Sequence, residues 1–173
     1  MKKLLVIVAI IMLIMINSKS DTIIIPESSI RYRVVANSNS ANDQLIKNKI
    51  STYMQDYLIS LTKNAKSSEE AQNLLLNNYD NINSELDKYL KTNKLNTSYE
   101  INIGRNYFPT KNYKGVDYSA GYYDSVVINL GHKQGVNWWC VMYPPLCLID
   151  EKEELDEVEY TSYVSELLKK YNI

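Results

Sequence analysis

The chain has 173 residues and a formal net charge of −1, with 19 basic and 20 acidic side chains. This length fits one domain that can bury its own core without a metal. The basic residues are spread along the chain without forming a block, so the sequence gives no electrostatic basis for binding nucleic acid.

The first twenty residues are typical of an export segment. Lys2 and Lys3 precede an uninterrupted apolar run of thirteen residues, Leu4 to Ile16. A transmembrane helix needs about 20 apolar residues, whereas the apolar part of a signal peptide has about 7–15. We therefore expect residues 1–20 to be a signal peptide or a short membrane anchor, with the rest of the protein facing outward. Removing them takes away three lysines and no acid, so the exported part carries −1 − 3 = −4.

Residues 21–29 are expected to be a linker, and residues 30–173 a single domain. The stretch "IRYRVVANSNS" begins this domain with alternating side chains and ends in Asn and Ser, which predicts a strand followed by a turn. Ser40 or Asn42 can cap the helix that follows. Asp43 then lies in its first turn, near the positive end of the helix dipole.

Two apolar stripes at helical spacing predict two long helices, which should lie antiparallel because few residues join them. The first stripe ends near Asn64, and Ser67 or Ser68 caps the second helix. The stripe residues are Ile46, Ile50, Tyr53, Met54, Tyr57, Leu58 and Leu61, followed by Ala71, Leu75, Tyr79, Ile82, Leu86 and Leu90.

Three strands are expected after Asn96, from "TSYEINIGRNYF", "GYYDSVVINLG" and "NWWCVMY". A loop should separate the first two strands. Pro144 and Pro145 should end the third strand, because proline cannot donate to a sheet ladder. Seven acids between Asp150 and Glu159 fit the start of a last helix. The order predicts an α+β fold: a mostly antiparallel sheet of about four strands, two long helices and a C-terminal helix.

The stretch "GHKQGVNWWCVMYPPLC" contains the only histidine, both tryptophans and both cysteines. A thiol hydrolase would need His132 to activate Cys140, and a hydrolase built on paired carboxylates is a further alternative. No zinc spacing or other catalytic motif is present, and we expect neither a metal nor a cofactor.

The two cysteines, Cys140 and Cys147, are better explained as a disulfide. Pro144 and Pro145 lie between them and force a turn, and exported proteins can oxidise their thiols. Trp138 and Trp139 are adjacent in a predicted strand, so their side chains should point to opposite faces. One can fill the core, and the other is then available for a partner.

"RYRVVANSNSANDQ" and "SAGYYDSVVINLGHKQGVNWWCVMYPPLCLID" resemble the stage II sporulation protein R family of endospore-forming bacteria. The order and spacing of the two motifs and the leading export segment agree with the family over about residues 30–150. The residues that match the family motifs are Arg31, Ala36, Asn37, Ser38, Asn137, Trp138, Trp139, Cys140, Pro144, Pro145, Leu146 and Cys147. The family commonly has His at the position of Arg33, Asp at that of Asn39 and Gly at that of Lys133.

The resemblance implies an exported signal and not an enzyme. The protein would be made in the forespore, cross into the space between the two septal membranes and activate a membrane-embedded aspartic protease of the mother cell. That protease then processes a precursor sigma factor. We expect the partner-binding residues to be Arg31, Asn37, Ser38, Asn137, Trp138, Trp139, Pro144 and Pro145, with the septal membrane surface as a further contact.

Overall fold

The computed structural model describes residues 23–24, 28–113, 116–146 and 165–171. The predicted export segment, Cys147 and the acidic stretch from Asp150 to Glu159 lie outside the described residues. Within the described part of the chain, no helix combines the length and the apolar character needed to cross a bilayer.

The described strands form two sheets. A four-stranded sheet has the order β3-β6-β2-β7, with β2 at Ile30–Val35, β3 at Tyr99–Phe108, β6 at Gly121–Leu130 and β7 at Asn137–Tyr143. A three-stranded sheet has the order β1-β5-β4, made by Ile23–Ile24 (β1), Val116–Tyr118 (β5) and Lys111–Tyr113 (β4).

The larger sheet contains one parallel and two antiparallel strand pairs. It therefore agrees with the predicted α+β fold with a mostly antiparallel sheet. Strand β6 pairs antiparallel with β3, and β7 pairs antiparallel with β2. Strands β2 and β6 run parallel at the centre of the sheet. The chain therefore leaves β6, crosses the end of β2 and returns as β7 on the other side. This crossing brings the loop of residues 131–136 onto the turn that follows β2.

Helix α1 spans Ala41–Thr62, α2 spans Ser68–Asn77 and α3 spans Tyr79–Thr92, and residues 165–170 are also helical (α4). Ser40 caps α1 by accepting a hydrogen bond from the Asp43 N–H, and Ser67 caps α2 through the Glu70 N–H. Both caps lie at positions that the sequence predicts. These side chains satisfy backbone donors that have no partner within the helix.

The helices pack on one face of the larger sheet. The main core contains apolar side chains from α1, α2, α3 and the sheet, and Tyr171 packs at its edge. Buried positions on α1 are Ile46, Ile50, Met54 and Leu58, which belong to the predicted stripe. Tyr79 also belongs to a predicted stripe, but 41% of its surface is exposed.

Two local features differ from the sequence predictions. The second helix is interrupted at Asn78, where both the backbone N–H and the side-chain Nδ2 donate to the Leu74 carbonyl. Asparagine side chains compete with the backbone in this way and interrupt helices. The expected loop between the first two strands after Asn96 also contains β4 and β5, which were missed because each has only three residues.

Candidate partner-binding site

The two tryptophans lie on β7, an edge strand of the larger sheet. Trp138 faces the helices, where its ring meets Tyr32 edge-on at a centroid distance of 5.3 Å. Trp139 faces away from the helices and packs against Phe108, Tyr123 and Val127. The prediction that the indoles point to opposite faces is therefore confirmed, and both rings are half-buried.

Trp139 belongs to a cluster of aromatic and basic side chains on the face of the larger sheet that carries none of the described helices, here called the helix-free face. Its ring lies edge-on to Phe108 at 5.4 Å, and the Arg33 guanidinium lies 5.3 Å from the indole centroid. Lys111 Nζ is 5.7 Å from the same ring. Cations placed near an aromatic face are attracted by the ring quadrupole. Trp139 therefore lies at the surface together with an aromatic ring and two cations.

Arg31 lies deeper on the same face and is only 3% exposed. Its guanidinium carbon is 3.3 Å from the centroid of the Tyr123 ring and 5.5 Å from that of Phe108. Nη1 donates to the Ser119 carbonyl at 3.5 Å. Burial lowers the pKa of Arg31, and the neighbouring Tyr123 partly opposes this change.

The predicted turn after β2 is bound by the loop of residues 131–136. Asn37 Oδ1 accepts a hydrogen bond from the His132 N–H at 2.8 Å, and the Asn37 carbonyl accepts one from the Gln134 N–H at 3.1 Å. Asn39 Oδ1 accepts from the Val136 N–H at 2.7 Å. Asparagine side chains therefore satisfy backbone donors in a loop almost a hundred residues away in sequence.

Two glycines permit this close approach. A Cβ atom at Gly131 would lie 2.1 Å from Asn37 Oδ1, and one at Gly135 would lie 2.3 Å from the Ser38 carbonyl oxygen. Gly131 also has a φ of +52°, in the left-handed region that glycine favours. Lys133 has a φ of +59°, in the same region.

The same turn is joined to the start of α1. The Asp43 carboxylate accepts hydrogen bonds from Ser38 Oγ and from Asn37 Nδ2, the latter at 2.9 Å. These bonds, with that of Ser38 the largest contribution, lower the pKa of Asp43. Lys47 Nζ then connects α1 to the loop by donating to the Val136 carbonyl at 3.3 Å. Turn, helix and loop thus form one hydrogen-bonded corner.

Comparison with known proteins identifies the family. The family model described as "Stage II sporulation protein R (spore_II_R)" matches residues 26–153. The chain belongs to the stage II sporulation protein R family. Stage II sporulation protein R of Bacillus subtilis (strain 168) is 34% identical over 133 residues, which is 77% of this chain and 59% of that protein. This chain therefore spans about three fifths of that relative's length. No solved structure matches.

Membership in the stage II sporulation protein R family supports a role in sporulation. The residues that match the family motifs do not form one exposed patch. Ala36, Pro144 and Leu146 are buried, and Arg31 is covered by aromatic rings. The half-buried members at the surface are Asn37, Ser38, Asn137, Trp138, Trp139, Cys140 and Pro145.

The corner that follows β7 is partly described. Tyr143 and Pro144 are joined by a cis peptide bond, and the Leu146 N–H donates to the Pro144 carbonyl at 2.8 Å. The chain therefore turns at the two prolines, as the sequence predicts. Because Cys147 lies outside the described residues, its disulfide with Cys140 stays a prediction.

His132 and Cys140 are not brought together. His132 lies in the loop beyond the end of β2, whereas Cys140 pairs with Tyr32 inside the sheet and packs at the edge of the core. The four steps from Tyr32 to Ala36 correspond to about 13 Å along a strand, far beyond hydrogen-bonding distance. Among the residues that the structure describes, no group of His, Cys, Asp and Glu could hold a metal.

The sequence did not reveal two parts of this site. Arg33 alternates with apolar residues along β2, which is also the pattern of a solvent-exposed cation, and only the fold shows it beside Trp139. The Asn/Ser-rich pattern predicts a turn at Asn39 but does not indicate that its side chain binds the loop. The density of Asn and Ser in "ANSNS" was the available signal, since these side chains satisfy nearby backbone groups.

Proposed function

We propose that this chain is an exported forespore-to-mother-cell signal that activates a membrane-embedded aspartic protease, which then processes a precursor sigma factor. The observation that carries the proposal is the meeting of the two family motifs at one corner. Asn37, from the first motif, accepts a hydrogen bond from the His132 N–H, in the loop that leads into the tryptophan strand. A rigid corner with a half-buried indole suits contact with a protein partner.

The location proposed for the protein follows from its first residues. Lys2 and Lys3 followed by an apolar run from Leu4 to Ile16 suit transfer across the forespore membrane. The domain then lies in the space between the septal membranes, free or held by the apolar run. In that space it reaches the outward face of the mother-cell protease and the septal membrane surface.

The mechanism is a shift between two states of the protease. A ligand changes such an equilibrium only if it binds one state more tightly than the other. The signalling protein therefore binds the active arrangement of the protease, which we take to be its dimer, better than the inactive one. It acts as an activator and supplies no catalytic group.

A reconstitution in a non-sporulating host tests this function. The full chain is co-expressed with the membrane protease and the sigma precursor, and cleavage of the precursor is followed by immunoblotting. We expect cleavage only when the chain is exported. A matched variant with Ile10→Lys and Ile11→Lys divides the apolar run into stretches of six and five residues, too short for a signal peptide, and should give none. Failure of the exported chain to induce cleavage would contradict the proposal.

The cysteines separate signalling from thiol hydrolysis. Cleavage of the precursor should survive the double substitution of Cys140→Ser and Cys147→Ser, because neither sulfur performs chemistry in an activator. Complete loss, with the folded double variant still exported, would favour thiol chemistry. Exported wild-type protein, unfolded without reductant, should contain no titratable thiol. In the chain-entropy model such a short loop contributes about 2–2.5 kcal/mol to stability.

A further inference from the structure

The helix-free face of the sheet carries one buried and one half-buried cation, neither with an acidic partner among the described residues. Arg31 and Arg33 lie two positions apart on β2, so their side chains share this face, about 7 Å apart along the strand. No acid of the described residues forms an ion pair with either guanidinium. Their neighbours are the rings of Phe108, Tyr123 and Trp139.

Their hydrogen-bonding capacity is also incompletely used. Nε and Nη2 of Arg31 and Nε of Arg33 are buried and have no acceptor among the described residues. A guanidinium has five N–H donors, and buried donors are normally paired. Arg31 is 3% exposed, so solvent reaches little of it. Such an arrangement is costly for an isolated chain, and an anion bound at the accessible Arg33 would offset part of the cost.

Arg33 is accessible to such an anion. Its side chain is half-buried beside Trp139, and Nη1 donates to the Tyr107 carbonyl at 3.3 Å. Arginine presents a planar fork that binds carboxylates in a bidentate manner. Arg31 behind it adds a second positive charge, which strengthens the attraction of a carboxylate to this face.

We propose that the surface formed by Arg33, Trp139 and the underlying Arg31 binds an acidic peptide segment of the partner protein. The proposal rests on the signalling function above and specifies the chemistry of the partner's contact. A carboxylate of the segment binds the accessible fork of Arg33, while the buried Arg31 adds attraction without direct contact. The indole provides the apolar part of the contact.

The overall charge of the protein favours an acidic peptide over an anionic membrane. The exported part carries −4, obtained by removing three lysines from the formal −1, so a broad anionic surface repels it. The positive charge at Arg31 and Arg33 is instead recessed among aromatic rings. A narrow peptide can approach such a recess, whereas a flat bilayer surface cannot follow its shape.

Binding of a simple probe tests the surface directly. The full chain in neutral detergent is titrated against a fluorescein-labelled peptide of alternating glutamate and glycine at low ionic strength, with anisotropy as the signal. We expect Arg33→Gln to weaken binding by about tenfold, as for loss of one charge-assisted contact. Arg33→Lys, which keeps the charge, should weaken it by only about threefold.

Controls make the result specific. Lys49→Gln removes one positive charge from the exposed side of α1 and should leave the affinity unchanged. The peptide with glutamine in place of glutamate should not bind. Equal weakening by Lys49→Gln or absence of binding to the wild type would overturn the proposal. So would a loss of binding to phosphatidylglycerol vesicles in Arg33→Gln as large as its loss of peptide binding.

The reconstitution assay separates this inference from the proposed function. If wild-type chain induces precursor cleavage and folded Arg33→Gln does so equally well, the acidic-contact proposal fails while the signalling function stands. If wild-type chain induces no cleavage, the signalling function fails, and the peptide titration still decides whether the surface binds acidic peptides.

Discussion

The side-chain Oδ1 of Asn37 accepts a hydrogen bond from the backbone N–H of His132 at 2.8 Å, across 95 positions of sequence. This bond joins the turn after β2 to the loop that leads into β7. The tryptophan strand is thereby held at its start by the turn, and by its pairing with β2 along its length. The geometry of the proposed contact surface therefore depends on the turn.

The Asp43 carboxylate should make this corner sensitive to acid. The hydrogen bonds from Ser38 and Asn37 lower the folded-state pKa of Asp43 below 3.8. Its contribution is therefore present above the unfolded pKa and is lost as the pH falls through the folded value. Asp43→Asn should be less stable than wild type at neutral pH, and urea unfolding should show the difference narrowing in strong acid. A constant difference across this range would contradict the assignment.

Gly135→Ala should destabilise the corner. The added Cβ would lie 2.3 Å from the Ser38 carbonyl oxygen and 2.7 Å from Ala36 Cβ, and backbone cannot move aside cheaply. We expect a loss of about 1–3 kcal/mol in the free energy of unfolding, measured by urea denaturation. Gly121→Ala is the matched control, since its closest neighbour is the Tyr123 side chain at 3.2 Å. An equal loss in both variants would argue against a tight corner.

The hydroxyl of Tyr32 should cost stability. It is fully buried and has no hydrogen-bond partner among the described residues, whereas the Tyr143 hydroxyl donates to the Ala65 carbonyl at 3.2 Å. Tyr32→Phe should therefore leave the free energy of unfolding unchanged or raise it by up to about 1 kcal/mol. Tyr143→Phe should lower it by about 0.5–1.5 kcal/mol. If thermal unfolding shows Tyr32→Phe to be less stable than Tyr143→Phe, the assignment is contradicted.

Much of the fold follows from local sequence patterns. The stripe through Ile46, Ile50, Met54 and Leu58 predicts α1, and alternation predicts β2 and β3, because these periods identify which side chains face a core. Runs of β-branched and aromatic residues predict β6 and β7. The opposite orientation of Trp138 and Trp139 follows from the pleat of a strand alone. Each of these features is determined by residues that are close together in the sequence.

The remaining features depend on contacts distant in sequence. Nothing near Asn37 shows that its acceptor will serve a loop 95 residues later, and nothing near Arg31 shows that Tyr123 will cover its guanidinium. The parallel pairing of β2 with β6 is likewise fixed by the path of the whole chain. The break at Asn78 is local, but the apolar stripe continues through it and conceals it.

The two tryptophans should contribute differently to stability and to signalling. Trp138→Ala removes a ring packed against Tyr32 and the main core, and should cost about 2–4 kcal/mol in urea unfolding. Trp139→Ala removes a ring from a smaller cluster and should cost less, yet it should abolish induced precursor cleavage. Equal loss of folding in both variants would remove the argument for a contact face at Trp139.

The central claim is that the Trp139 side of the corner touches the membrane protease, and site-specific photocrosslinking tests this most directly. A photoreactive phenylalanine analogue replaces Trp139 in the exported full chain, or Lys63 at the end of α1 as the control, in cells that contain the protease. We predict an adduct with the protease from position 139 and none from position 63. No adduct from position 139, or equal adducts from both positions, would contradict the account.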